Sequence, residues 1–238
     1  MAIRPAYLVS LNEVPLVKVE NFDFKWHPGL SVSQKQKSIY ELHDAILKIH
    51  PDRKILEVSS KSKNKLGTLL SAFNLTFSTK KYKRIISVET AFQSSKVFTN
   101  GGPYYDLLDK TSVEAKKDLR IKNSGDLTHF IFFKEQWDIT PKTAFYDWLY
   151  MNALNQHDDI IEQVIQYDCF TDIEFNPEKS INCQAHSVAL FVALYNKNII
   201  SEALSSKEKY IDTVCKLNNQ KTKNAIKVQS FPMQYSLL

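Results

Sequence analysis

Ser87-Val88-Glu89-Thr90-Ala91-Phe92-Gln93-Ser94-Ser95-Lys96-Val97-Phe98, followed after two residues by Gly101-Gly102-Pro103, is the segment on which the reading of this chain turns. Helical spacing predicts that Glu89, Gln93 and Lys96, at i, i+4 and i+7, project from one face over two turns. Val88 and Phe92 flank that face. The Gly-Gly-Pro step stops any helix and permits tight backbone. An acid, an amide and an amine beside a glycine turn are the parts of a polar pocket; the same spacing also serves a solvated pair bridged by Gln93, worth only about 0.3–0.5 kcal/mol.

On the N-terminal side, Tyr7-Leu8-Val9, Pro15 to Val19 and Phe22-Asp23-Phe24-Lys25-Trp26 read as short strands. Ser33 with Gln36 three residues on suggests a capping box. Ile39, Leu42, Ala45, Ile46 and Ile49 then follow helical spacing until Pro51. Ile55 to Val58 reads as a strand, Leu69 to Phe77 as extended chain. On the C-terminal side, Thr111 with Glu114 is a second capping box, opening a helix that runs to about Asn123 before Gly125. His129 to Phe133 reads as a buried strand. Thr140-Pro141 reads as the start of an aromatic-rich helix that extends to about Asn155. A further helix spans Asp158 to Gln166. Cys169 to Phe175 alternates, which puts Phe170, Asp172 and Glu174 on one strand face. Helices from about Asn182 to Tyr195 and from Lys207 to Leu217 follow, and residues 218–238 read as a loose polar tail. The expected class is α+β, a mostly helical single domain with short strands.

Composition bounds the function. With 43% hydrophobic and 24% charged residues the chain can bury a core, and no apolar run reaches the ~18–20 residues that span a bilayer. The first residues lack the pattern of a secretory signal, so a cytoplasmic location is expected. Cys169, Cys183 and Cys215 are scattered and odd in number, which fits reduced thiols. The six histidines form no close ligand pair, and Gly-x-Gly-x-x-Gly, Walker A and Gly-x-Ser-x-Gly sequences are absent, so neither a metal nor a nucleotide-dependent cofactor is expected. A net charge of +5 permits contact with a polyanion. Three basic runs sharpen that: Lys61 to Lys65, Lys80-Lys81-Tyr82-Lys83-Arg84, and Lys116-Lys117 with Arg120 and Lys122.

Glu89-x-x-Phe92-Gln93-x-x-Lys96 resembles the signature helix of the NADAR (YbiA-like) family. Leu70-Ser71-Ala72-Phe73-Asn74 resembles the family's upstream Phe-Ser-Asn-Phe motif, with Ala72 in place of its Asn. Phe170 to Phe175 and then Ser180-Ile181-Asn182 resemble its distal block, without that block's Trp-Gly. The three blocks span about residues 66–195. The longer N-terminus and the Gly-Gly-Pro-Tyr insertion resemble the subgroup that accompanies DarT-type toxins, which attach ADP-ribose to guanine in DNA. The resemblance divides the chain into an N-terminal extension packed on the domain (1–60), a catalytic domain (61–217) and the tail (218–238).

The resemblance implies an antitoxin that hydrolyses the ADP-ribosyl-guanine bond and releases ADP-ribose, with Glu89, Lys96 and Asp172 catalytic and no cofactor. Cleavage at a ribose anomeric carbon passes through an oxocarbenium-like state that a carboxylate stabilises, while a buried lysine either holds charge or attacks as an amine. Candidate substrate-binding residues are Ser71, Phe73, Asn74, Gln93, Gly102, Tyr105, Arg120, Trp148, Glu174 and Asn182. Several of these residues have a plainer reading: Phe73 and Trp148 as packing, Asn182 as a helix N-cap, Arg120 as a solvated cation, and Glu174 together with Asp172 as an exposed strand edge. Two other functions stay open: a module that binds ADP-ribose, modified DNA or the toxin without turnover, and an N-glycosidase acting on a small riboside such as a damaged riboflavin intermediate.

Overall fold

In the computed structural model, which describes residues 1–79 and 81–214, the chain is a single α+β domain. Strands β1 (Ala2–Val9) and β2 (Val17–Phe24) form an antiparallel hairpin, and helix α1 (Val32–Ile49) follows. Strand β3 (Ile55–Glu57) and helix α2 (Lys65–Leu69) lead to the hairpin β4 (Thr76–Ser78) and β5 (Ile85–Ser87). Then come α3 (Val88–Ser94), β6 (Lys96–Phe98), a 3-10 turn (Tyr105–Asp109), α4 (Ser112–Lys117) and α5 (Arg120–Asn123). Strands β7 (Leu127–Phe132) and β8 (Glu135–Asp138) complete an antiparallel sheet with β6. Helices α6 (Ala144–Leu154) and α7 (Asp158–Val164), strand β9 (Cys169–Thr171), and helices α8 (Gln184–Asn196) and α9 (Ile200–Ala203) end the series of complete elements. Residues 207–214 are helical; the expected polar tail and Cys215 lie outside the described residues.

The main sheet has the order β2-β1-β9-β3, with β9 antiparallel to β1 and parallel to β3. The boundary expected at residue 60 therefore runs through the sheet, three of whose four strands precede it. Ala6, Tyr7, Leu8 and Val9 are all buried because both faces of β1 are covered. Ala6 and Leu8 meet Ile39, Leu42 and Ile46 of α1 on one side, while Tyr7 and Val9 enter the larger core on the other. That core is built on α6 and α8, which are buried almost all round, as their near-continuous apolar sequences require.

Several boundaries differ from the sequence reading, each for a local reason. The N-cap of α1 is Ser31, not Ser33, and its hydroxyl accepts from the Gln34 amide. The Ser71–Asn74 motif is a turn after α2 rather than extended chain, since Asn74 N and Leu75 N both donate to Ser71 O. The Thr111–Glu114 capping box is present, but the helix it opens ends at Lys117, and Asp118 turns the chain before α5. The aromatic helix starts at Ala144 rather than Pro141, because Thr143 adopts a left-handed conformation with φ of 69°. Strand β7 is only partly buried.

Candidate active site

Helix α3 is buried at every position from Val88 to Ser94. Its start is fixed by Ser87, whose hydroxyl accepts from Thr90 N at 3.1 Å, and by the motif turn: Val88 N donates to Leu75 O and Glu89 N to Ala72 O. Two orphan amides of the first turn are thus satisfied by the upstream block. Glu89 in that turn sits favourably at the positive end of the helix. The end of α3 is equally local. Ser94 and Ser95 hydroxyls both donate to Ala91 O, a competition with the helix ladder that ends it at Ser94, two residues before Lys96.

Lys96 accordingly does not lie on the helix, as its spacing predicted. It opens β6 and pairs across the sheet with Phe130. Its side chain nevertheless returns to the same cluster. Lys96 Nζ donates to Gln93 Oε1 at 2.8 Å, and Gln93 Nε2 donates to Glu89 Oε1 at 2.8 Å. The ammonium also lies 4.6 Å above the Phe92 ring. Phe92 is held by Phe130, Phe145 and Tyr146, with ring centroids at 5.4, 6.2 and 5.0 Å. Burial pushes the Lys96 ammonium down to about 8; the Glu89 carboxylate opposes that and Lys116 reinforces it. Gly102 supports the strand from behind. It has φ of 91°, and a β-carbon there would stand 2.3 Å from Lys96 O.

Around this cluster lie residues that sequence reasoning did not place at the site. Lys116 of α4, read only as part of a basic run, brings Nζ to 3.7 Å from Glu89 Oε1 and 4.8 Å above the ring of Phe73. Tyr146 was hidden among the aromatics of α6. Burial and then the Glu89 charge hold its phenol well above the usual range, and Asp172 contributes in the same direction. Among the described residues its hydroxyl has no hydrogen-bond partner, nor does Glu89 Oε2. Tyr146 also lines a small, half-open cleft whose walls include Phe130, Leu127, Ile181 and Asn182. Phe130 faces this cleft and neighbours Lys96 across the β6–β7 ladder, so cleft and cluster adjoin.

Asp172 is buried, as is Ser71. Strand β9 ends at Thr171, so Asp172 and Glu174 do not share a strand face: the chain turns, and Glu174 N donates to Asp172 Oδ1 at 3.0 Å. Burial, then the Glu57 charge, holds the Asp172 carboxyl well above the carboxylate range. Glu174 is exposed and pairs with Lys35 at 3.2 Å. Asn182 precedes the Cys183 N-cap of α8 and so does not cap that helix. The remaining candidates stand apart. Asn74 is exposed and donates to Thr68 O. Tyr105 is 51% exposed on the 3-10 turn. Arg120 is held by Asp106 and Asp118 and lies over Tyr104. Trp148 packs on Trp137 at 4.8 Å.

One more side chain ties the upstream turn and the end of β3 to α8. Gln184, in the first turn of α8, accepts from Ala72 N at 2.8 Å and donates to Val58 O at 2.6 Å. The described residues contain no cluster of three or more His, Cys, Asp or Glu that could hold a metal, and no helix long and apolar enough to cross a membrane.

A buried acid, amide and amine thus form one hydrogen-bonded line beside an open cleft, on a single α+β core. The family model of DarT1-associated NADAR antitoxins matches residues 2–224 of 238, and the chain belongs to that family. No curated protein matches it.

Proposed function

We propose that the chain is a hydrolase that cleaves the N-glycosidic bond between ADP-ribose and guanine in DNA, and so reverses the modification made by a cognate DarT-type toxin in the cytoplasm. One observation carries this reading: the hydrogen-bonded line from Lys96 through Gln93 to Glu89, buried yet leaving Glu89 Oε2 without a partner among the described residues. A structural carboxylate at this depth would have both oxygens filled. In this reading Glu89 faces the anomeric carbon, steadies the positive charge that develops there and takes a proton from the attacking water. Lys96 supplies either an ammonium that holds the ribose–diphosphate or a free amine that attacks the sugar. The adjoining cleft receives the leaving guanine, with Asn182 at its wall. The net charge of +5 favours a nucleic-acid substrate over a neutral riboside.

The test is turnover. Purified protein is mixed with a large molar excess of an oligonucleotide carrying one ADP-ribosylated guanine, and released ADP-ribose is counted. Release well beyond one equivalent per protein, lost in K96A, supports the hydrolase. Stoichiometric retention of modified DNA without release would show a binding module instead, and release only from small free ribosides would move the activity off DNA.

A further inference from the structure

Ser112 and Lys116 are four residues apart on α4, so both leave the same face of that helix. Ser112 fastens the face to the site. Its Oγ donates to Phe73 O of the motif turn at 2.9 Å and stands 2.8 Å from the hydroxyl of Ser87, the N-cap of α3. The Thr111–Glu114 capping box fixes the same end of α4 from the other side. Lys116 is therefore delivered to the cluster by the backbone rather than by a wandering side chain. Its Nζ lies 4.8 Å above the Phe73 ring and 3.7 Å from Glu89 Oε1.

Lys116 approaches Glu89 without hydrogen-bonding to it. The oxygen it faces is the one already filled by the Gln93 amide, and 3.7 Å is beyond hydrogen-bond range. The Phe73 ring attracts the ammonium through its face and offers no lone pair. Among the described residues Lys116 makes no hydrogen bond, so all three of its donors are open. The neighbouring cations differ: Arg84 is taken by Asp109, Lys110 by Asp118, and Arg120 by Asp106 and Asp118. Lys96 differs too, because its ammonium is turned inward onto Gln93 and Phe92. Lys116 also stands at the solvent end of the cluster, its side chain 56% exposed against 7% for Glu89. A cation held by a ring and a charge, with its donors open to solvent, is placed to take an anion that enters the site.

We propose that Lys116 is the diphosphate-binding residue of the site: it donates to a phosphate oxygen of the ADP-ribosyl group and leaves Lys96 to the ribose. This rests on the hydrolase reading above and chooses between the two uses of Lys96 given there. The spacing agrees with the ligand. The carbon bonded to guanine and the diphosphate lie on opposite sides of one ribose. With Glu89 at that carbon, the diphosphate falls about one sugar ring away. A phosphate oxygen about 2.8 Å beyond Lys116 Nζ occupies that position. Lysine suits the task, since a point charge with rotatable donors follows a diphosphate through its torsions. Standing between them, the ammonium also keeps the charge of the diphosphate from repelling the Glu89 carboxylate. Phe73 is its platform.

The experiment titrates ADP-ribose into the wild type, K116M, K116R and K96M by calorimetry, alone and against inorganic pyrophosphate as competitor, beside steady-state release from modified DNA. Pyrophosphate should compete with ADP-ribose on the wild type. K116M should weaken ADP-ribose by about tenfold or more and lose the competition. K116R, which restores the charge, should recover most of both, and K96M should keep the competition. In turnover K116M should raise KM more than it lowers kcat. An ADP-ribose Kd that is the same in wild type and K116M would overturn the proposal, and a lower melting temperature with that Kd unchanged would assign Lys116 to the fold alone. Competition that survives in K116M and disappears in K96M would give the diphosphate to Lys96 instead. A wild type that binds neither probe would also overturn it. Failure of the hydrolase reading looks different: no release from modified DNA, with Lys116-dependent binding of ADP-ribose intact.

Discussion

Two buried carboxylates of this molecule, Asp147 and Glu89, have opposite surroundings. Asp147, on α6, is 2% exposed, and both its oxygens are occupied: Ser187 Oγ donates to Oδ1 at 2.5 Å with His186 Nδ1 at 3.4 Å, and Thr143 Oγ1 donates to Oδ2 at 2.7 Å. It joins α6 to α8 and anchors the left-handed residue ahead of α6. Glu89, at 5% exposure, is almost as deep, but one oxygen takes an amide and a distant ammonium while the other takes nothing from the described residues. Equal burial comes with unequal satisfaction. The first spends its hydrogen-bonding capacity on the fold; in the proposed reading the second keeps some for a ligand.

The sharpest way to break this contrast is Lys96→Ala. Turnover should fall on the order of a thousandfold or more with the fold intact by circular dichroism; normal activity would remove Lys96 from the mechanism. Next, Glu89→Gln should lower kcat about a hundredfold and leave thermal stability near the wild type. Asp147→Ala should do the reverse, costing about 2–4 kcal/mol in denaturant unfolding with unchanged activity per folded molecule. If E89Q unfolds the protein while D147A silences it, the two roles have been exchanged.

Smaller effects sharpen the picture. Gly102→Ala places a β-carbon on the carbonyl of Lys96 in a backbone region that L residues avoid, and should cost about 1–2 kcal/mol. Its kcat should drop more than that of an alanine at Gly29, which also has a positive φ but lies far from the site in sequence. The least effect is a pH signature in Lys96→Met. Lys96 titrates near 8 in the fold against 10.5 when unfolded. Below pH 8 it is charged in both states and its burial opposes folding; between 8 and 10.5 the unfolded chain binds the extra proton, so wild-type stability rises with pH. The methionine variant should thus be more stable by about 1 kcal/mol below pH 8 and lose that lead as pH climbs. A constant difference across this range would show that the ammonium is not desolvated.

The α+β class and the Glu89–Gln93–Lys96 grouping were legible because short-range pattern carries both. The reason given for the grouping was wrong: Lys96 arrives from a strand, not from the third turn of a helix, because two serines end α3 early. The same side-chain cluster has two backbone solutions, and spacing alone does not distinguish them. Glu174 was linked to Asp172 by alternation that stops at Thr171. Nothing local in the sequence brought Lys116, Tyr146 and Glu57 to their partners. Their contacts join residues 27 to 116 positions apart, and nothing near Glu57 in sequence announces that Thr171 and Ile173 will close over it. The Gln184 side chain, which ties the upstream turn to β3, is in the same position.

The place of β9 in the main sheet sets the order of events at the ribosome. This strand fills an interior slot between β1 and β3, yet it is Cys169–Thr171 of a 238-residue chain. Glu89 and Lys96 are synthesised long before it, so a nascent chain carries one wall of the centre with the opposite wall missing and two strand edges bare. The sheet cannot close before β9 has been made, and the main core is complete only once the buried helix α8 (Gln184–Asn196) has followed it.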